Sequence, residues 1–174
     1  VIDDLADRKH QCDILLDQNF GRSSKDYEIL TSKSTKLLMG PEYALLRPEF
    51  EKMRQYSLDR RKKANFKSLL INMGGADPDN ITGKVIEKLQ EANLPKDIII
   101  TIVMGKTAPH LQSVKRCASE LPYYSEVKVD IDNMAEIMAN ADIAIGASGS
   151  TTWERCCLGV PTLQLITAYN QEFI

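Results

Sequence analysis

Residues 146–161 read GASGSTTWERCCLGVP and lie between two apolar runs, Ala141–Ile145 and Thr162–Ile166. The order is strand, glycine- and serine-rich turn, short helix, proline stop, strand. That is one βαβ unit, with its ligand-facing turn between Ile145 and Thr152. Small residues let backbone N–H groups approach an anion closely, and the start of the following helix adds partial positive charge. The stretch therefore predicts a phosphate seat, and the diphosphate of a nucleotide or nucleotide-sugar suits it.

Working outward, the same alternation extends upstream. Ser68–Met73 reads as a strand ended by Gly74-Gly75. Asp77 suits an N-cap and Pro78 a first helical position, which predicts a helix from Pro78 to about Ala92. Asp97–Met104 is a second strand, Pro109–Leu121 a helix, Glu126–Ile131 a strand and Met134–Asn140 a short helix. Thr152–Leu158 is the helix behind the turn. Most of these strands are nearly unbroken apolar runs, as burial on both faces of a parallel sheet requires. The predicted class is α/β: a Rossmann-like parallel sheet with helices on both faces.

The first third of the chain reads differently. Val1–Ile2, Ile14–Leu16 and Leu37–Met39 are strand-like, Asn19–Lys36 reads as a long polar loop, and Pro48–Lys63 as a charged helix joining two bodies. We expect residues 1–45 to end an N-terminal domain that began upstream, 46–63 to connect, and 64–174 to form a nucleotide-binding domain cut short at its end. A start at Val-Ile-Asp-Asp and a stop at Asn-Gln-Glu-Phe-Ile suggest a piece of a longer polypeptide.

Composition narrows the function. Twenty-two basic and twenty-four acidic residues leave a net charge of −2, which argues against a nucleic-acid binder. The one basic cluster, Arg60-Arg61-Lys62-Lys63, reads as a solvated helix end. No apolar run approaches the ~20 residues that cross a bilayer. Four cysteines without metal-ligand spacing, and only His10 and His110 beside them, suggest reduced thiols in a cytoplasmic protein and no metal site. Asp3, Asp4 and Asp7 read as a solvated strand end rather than a magnesium site. No Ser-His-Asp set is evident.

Ligands of open α/β sheets sit beyond the carboxyl ends of the strands. That rule selects Gly74–Asp77, Gly105, Asp130–Asn133, Gly146–Thr152 and Thr167–Gln171 as one rim. Glu154 has two readings: a carboxylate for a ribose diol, or the closing member of a capping box, Thr151-Thr152-Trp153-Glu154. Gly75 and Asp77 make either a tight turn with a cap or a ligand contact. Arg47 either forks a diphosphate or a uracil-side carbonyl, or pairs with a carboxylate. Asn170 and Gln171 follow the last strand where a sugar would lie, or else begin a helix. Trp153 reads as packing.

The strings VIDDLADRKHQCDILLDQN, GPEYALLRPEF, NMGGADPDN and GASGSTTWERCCLGVPTLQLITAYNQ, in that order, resemble the nucleotide-sugar hydrolases of the pseudaminic-acid pathway. These act on UDP-2,4-diacetamido-2,4,6-trideoxy-β-L-altropyranose and are related to spore-coat polysaccharide biosynthesis proteins. The resemblance covers essentially the whole chain. It implies the two-domain GT-B architecture, with this chain as mostly its C-terminal half, and a role toward flagellin glycosylation in bacteria. It also implies metal- and cofactor-free hydrolysis: water attacks the anomeric carbon, the C–O bond breaks with inversion, and UDP leaves. The family's general-base histidine has no equivalent here, so no catalytic residue is assigned within the chain, and the chain alone is expected to be inactive. The resemblance gives Arg47 a contact to UDP, the turn Gly149, Ser150 and Thr151 the diphosphate, Glu154 the ribose and Asn170 the sugar. Gly75, Asp77 and Gln171 remain secondary candidates. Two alternatives stay open: a GT-B glycosyltransferase with a UDP-sugar donor, and a nucleotide-binding domain without catalysis. Oligomeric state is not legible.

Overall fold

The computed structural model describes residues 1–63, 66–168 and 171. Its elements, in chain order, are β1 (Ile14–Asp17), β2 (Lys36–Met39), α1 (Pro48–Arg61), β3 (Ser68–Asn72), α2 (Ile81–Gln90) and β4 (Ile99–Met104). They continue with α3 (Leu111–Ser119), β5 (Tyr124–Val129), α4 (Met134–Asn140), β6 (Ile143–Ala147), α5 (Ser150–Cys157) and β7 (Thr162–Leu165). The chain divides into two units: residues 1–47 with 166–174, and residues 48–165.

In the second unit five parallel strands lie in the order β5-β4-β3-β6-β7. The fold is α/β and Rossmann-like, as the sequence pattern predicts. Alternate residues of β3 face opposite ways. Leu69 and Ile71 pack with Ile86 and Leu89 of α2 and with Val114 and Ala118 of α3. Leu70 packs with Phe50 of α1, with Met134 and Met138 of α4, and with Leu158. Each face of β3 is thus covered by its own helical layer, which is why Leu69, Leu70 and Ile71 form an unbroken apolar run, whereas β5 (YSEVKV) and β7 (TLQL) at the sheet edges alternate. At the start of β6, Asp142 fixes the pairing with β3. Its Oδ2 accepts the N–H groups of Lys67 and Ser68 at 2.8 and 3.0 Å, and its own N–H donates to the Ser68 carbonyl at 2.9 Å.

Several boundaries move. The α2 helix starts at Ile81, not Pro78, because Asp77 and Asn80 both adopt left-handed backbone (φ 40° and 52°). Asp77 caps from outside the helix: its two carboxylate oxygens accept the N–H groups of Ile81 and Thr82, each at 2.8 Å. Between Gly74 and Asp77, a close approach decides one residue. A Cβ on Gly105 would stand 2.5 Å from the Gly75 carbonyl oxygen, which already accepts the Gly105 N–H at 3.0 Å.

The basic run at the end of α1 is not simply a solvated helix end. Arg60 pairs with the buried Asp142 carboxylate at 2.6 Å. Arg61 donates to the carbonyls of Met138, Ala139 and Ala141 at 3.2, 3.1 and 2.6 Å, and to the Ser57 hydroxyl at 2.7 Å. One guanidinium therefore closes the carboxyl end of α4, whose last carbonyls have no acceptor role inside the helix. Burial draws its pKa below the ordinary arginine value, and Arg60 adds to that effect. Lys62 stays exposed beside Asp59.

The first unit holds a small parallel sheet of β1 and β2, with Ile2 bridged to Leu16. Here two expectations fail. The 19–36 interval contains a 3-10 turn, Ser24–Tyr27, that drives Tyr27 to 0% exposure. Asp3, read as solvated, is buried with it. The Tyr27 hydroxyl lies 2.8 Å from Asp3 Oδ2 and 2.7 Å from Asp17 Oδ2, with a single proton to donate between them. His10 and Arg22 flank the two carboxylates at 3.5 and 3.1 Å.

Two outcomes follow from these contacts. Arg61→Met should lower unfolding free energy by about 2–4 kcal/mol, since it strands buried carbonyls; urea titration reads the loss. Burial alone would raise the Asp3 pKa, but the Ala6 N–H, the Tyr27 hydroxyl and His10 together hold it below 3.8. The folded chain thus binds fewer protons at Asp3 than the unfolded chain. Its contribution is present above that value and is lost as pH falls through the depressed one. The urea midpoints of wild type and Asp3→Asn should therefore converge as the pH drops into that range.

Candidate functional site

The sheet reverses its direction of growth between β3 and β6, because the chain builds outward to β5 on one side and returns to place β6 on the other. Such a switch point opens a crevice where the two connections leave in opposite directions. The loops that flank it are Gly74–Asp77 after β3 and Ser148–Gly149 after β6. Gly105 and Asp130–Asn133 follow β4 and β5 on the same edge.

The turn after β6 is built by hydrogen bonds that the sequence does not advertise. Gly149 is the N-cap of α5 and Thr152 its third residue. The Gly149 N–H donates to Thr152 Oγ1 at 3.3 Å, and the Thr152 N–H returns to the Gly149 carbonyl at 2.9 Å. The Thr152 hydroxyl donates in turn to Gln164 Oε1 on β7 at 3.0 Å. The capping box read as Thr151 to Glu154 is therefore displaced by two residues, and Thr152 takes the role given to Glu154. Helix geometry leaves the N–H groups of Ser150 and Thr151 without acceptors inside α5. These are the donors that an anion would meet.

Glu154 is the fifth residue of α5 and half-buried. It shares a helix face with Ser150 and Thr151, about 6 Å further along the axis. The structure thus brings Gly149, Ser150, Thr151 and Glu154 together in one unit, with Gly75 and Asp77 on the neighbouring connection. Gly75 is exposed, whereas Asp77 is buried and occupied by its cap. Arg47 is exposed and belongs to the first unit, as does Gln171, whose Oε1 accepts from Thr167 N and Oγ1, each at 2.9 Å. Asn170 lies outside the described residues. Trp153 is buried, as its packing reading requires. Among the described residues no cluster of three or more His, Cys, Asp or Glu is placed to hold a metal, and no helix is long and apolar enough to cross a membrane.

Sequence reasoning missed Arg155. It is 2% exposed and donates to Ala147 O at 2.8 Å and Thr151 Oγ1 at 3.1 Å, at either end of the turn. The available signal was Gly146, since a Cβ there would stand 2.5 Å from Arg155 Nη1.

Known proteins align with most of this chain at about a third identity. No family model matches the chain. It is 33% identical over 138 residues to the spore coat polysaccharide biosynthesis protein SpsG of Bacillus subtilis, covering 79% of this chain and 40% of that protein. It is 30% identical over 165 residues to the UDP-2,4-diacetamido-2,4,6-trideoxy-beta-L-altropyranose hydrolase of Campylobacter jejuni, covering 95% and 56%. The chain is their homologue. An uncharacterised protein of Methanocaldococcus jannaschii matches at 32% identity, covering 88% of this chain and 32% of that one. The chain thus spans from a third to just over half the length of these curated relatives. The crystal structure of WaaG, a glycosyltransferase involved in lipopolysaccharide biosynthesis, superposes at a TM-score of 0.49 and 18% identity, over 86% of this chain and 43% of that one. That likeness carries no functional argument.

The Thr152 network is testable by itself. Thr152→Val keeps the shape but removes the acceptor for Gly149 and the donor to Gln164. Stability should fall by about 1–3 kcal/mol, and the Gly149 amide should exchange with solvent faster than its neighbours do.

Proposed function

We propose that this chain is the UDP-binding part of a nucleotide-sugar hydrolase that releases UDP and a free 2,4-diacetamido-trideoxy sugar for nonulosonic acid synthesis. The observation that carries the reading is the turn Gly149–Thr151 at the switch point, with open N–H donors and Glu154 one turn beyond. A diphosphate at that helix start would leave the ribose hydroxyls near the Glu154 carboxylate, which capping does not require. The homologous hydrolase, named for a UDP-sugar, supports both the nucleotide and the reaction.

In this reading Arg47 contacts UDP and Asn170 the sugar, with Gly75, Asp77 and Gln171 as secondary contacts. Residues 1–45 end an N-terminal domain, 46–63 connect, and 64–174 form the C-terminal half of a GT-B pair in a cytoplasmic enzyme. Stabilisation falls on the leaving diphosphate, where charge develops as the C–O bond breaks. Neither His10 nor His110 is assigned as base, so the chain by itself binds UDP and does not turn over.

Titration calorimetry decides the nucleotide site. UDP should bind the chain, and Glu154→Ala should weaken it by roughly five- to thirtyfold, the loss of one charge-assisted hydrogen bond or two. No heat with UDP would sink the assignment; unchanged affinity in the variant would remove Glu154 from it. For the protein carrying this chain together with its histidine base, release of free sugar from UDP-sugar without an acceptor separates hydrolysis from glycosyl transfer.

A further inference from the structure

Among the described residues, the hydrogen bonds of the buried Arg155 guanidinium all run to neutral oxygens. Nη2 donates to the Ala147 carbonyl at 2.8 Å, to Thr152 Oγ1 at 3.3 Å and to Gln164 Oε1 at 3.4 Å; Nη1 donates to Thr151 Oγ1 at 3.1 Å. Nε has no hydrogen-bond partner, and no carboxylate lies within ion-pair distance of the guanidinium, among the described residues. The strand opposite makes room for it. A Cβ at Gly146 would stand 2.5 Å from Nη1 and 2.9 Å from Cζ. The Ser148 hydroxyl, in a residue 1% exposed, likewise has no partner among the described residues.

A buried charge without a counterion is destabilising, and a well-packed apolar side chain in its place would avoid the desolvation penalty. Burial does draw the Arg155 pKa down, with Cys156 and Glu154 opposing the shift. An arginine nonetheless remains protonated at any physiological pH. Three of its four acceptors bracket Ser148, Gly149 and Ser150, with Ala147 before them and Thr151 and Thr152 after; the fourth, Gln164, is on β7. The cation therefore lies behind the N–H groups that would meet an anion, in a medium that screens charge poorly.

We propose that the counterion of Arg155 is the ligand's diphosphate, and that Arg155 is a positioning residue that acts through the turn without touching the ligand. This rests on the UDP reading above. It assigns to Arg155 the selectivity for diphosphate over uncharged nucleoside, and it explains why a guanidinium occupies a place that packing alone would fill with a hydrocarbon.

The test measures UDP, inorganic pyrophosphate and uridine binding to the chain as wild type, Arg155→Met and Arg155→Lys, with circular dichroism to establish folding. Arg155→Met should weaken UDP and pyrophosphate by about tenfold or more and leave uridine within about twofold. Arg155→Lys separates charge from shape, because a buried lysine titrates at a depressed pKa while arginine does not. Relative to wild type at each pH, its UDP affinity should be close at about pH 6 and should decline toward the Met variant by about pH 9.5. A folded Met variant that binds UDP as wild type does would overturn the proposal, and so would a Lys-to-wild-type ratio that stays constant with pH. If the Met variant does not fold, the pH profile of the lysine variant is sufficient to uphold or overturn it. Wild type that binds pyrophosphate but not UDP defeats the nucleotide reading and leaves Arg155 to be judged on pyrophosphate. Wild type that binds neither defeats both.

Discussion

The parallel pairing of β3 with β6 is the constraint on which the second unit depends. It joins segments about seventy residues apart, Leu69 with Ile143 through Asn72 with Gly146. Without it the β3–β4–β5 half would be an open sheet, with no reversal and no crevice. Asp142 sets the register by taking two backbone donors of β3 on one carboxylate oxygen, while Arg60 of α1 neutralises the other. A pairing so distant in sequence must close a long loop before its contacts form, and such non-local pairings slow folding. The candidate site is therefore completed only when the sheet is, and cannot pre-exist in a partly folded chain.

Around the crevice the chain relies on neutral oxygens placed with care. Thr152 serves three partners with a single hydroxyl: it accepts from Gly149 N and Arg155 Nη2 and donates to Gln164. A hydroxyl can do this because it carries one proton and two lone pairs. Serine at the same position would keep the chemistry but lose the methyl that fixes the rotamer. The turn is therefore held from behind, by the helix and the last strand, and its outward N–H groups are left for a ligand. Small residues are needed at 148–150 for access, while the rigidity comes from 152, 155 and 164.

The sheet was legible in the sequence because its strands are buried on both faces, so that β3, β4 and β6 announce themselves as unbroken apolar runs. The glycine and serine turn was legible because its chemistry is local. What sequence reasoning misplaced depends on local backbone conformation in one case and on contacts between distant residues in others. Asp77 caps α2 from a left-handed position three residues before Asn80, so a local N-cap rule starts the helix too early. Asp3 looks solvated until Tyr27, twenty-four residues on, is found beside it in the interior. Arg61 looks like an ordinary helix cation, because nothing near it in sequence says which carbonyls it meets. For Asp3 and Arg61 a polar residue was read as surface, and its burial was set by partners far along the chain.

The attachment of α1 shows a further consequence. Arg61 meets carbonyls of residues 138, 139 and 141, and the Ser57 hydroxyl donates to the Leu158 carbonyl at 2.6 Å. These acceptors belong to the main chain and exist whatever side chains those positions carry. Tolerance to sequence change is thus one-sided. Where the contact runs to main-chain carbonyls, the residues of α4 and those after α5 can change so long as they fill their share of the core; Asn140 and Asp142, met through their side chains by Tyr56 and Arg60, cannot. Drift at positions 57 and 61 removes those bonds and leaves the carbonyls unpaired. Divergence among homologues should accordingly run unevenly across this contact, with the donor helix holding its identity while the surface it grips is rewritten.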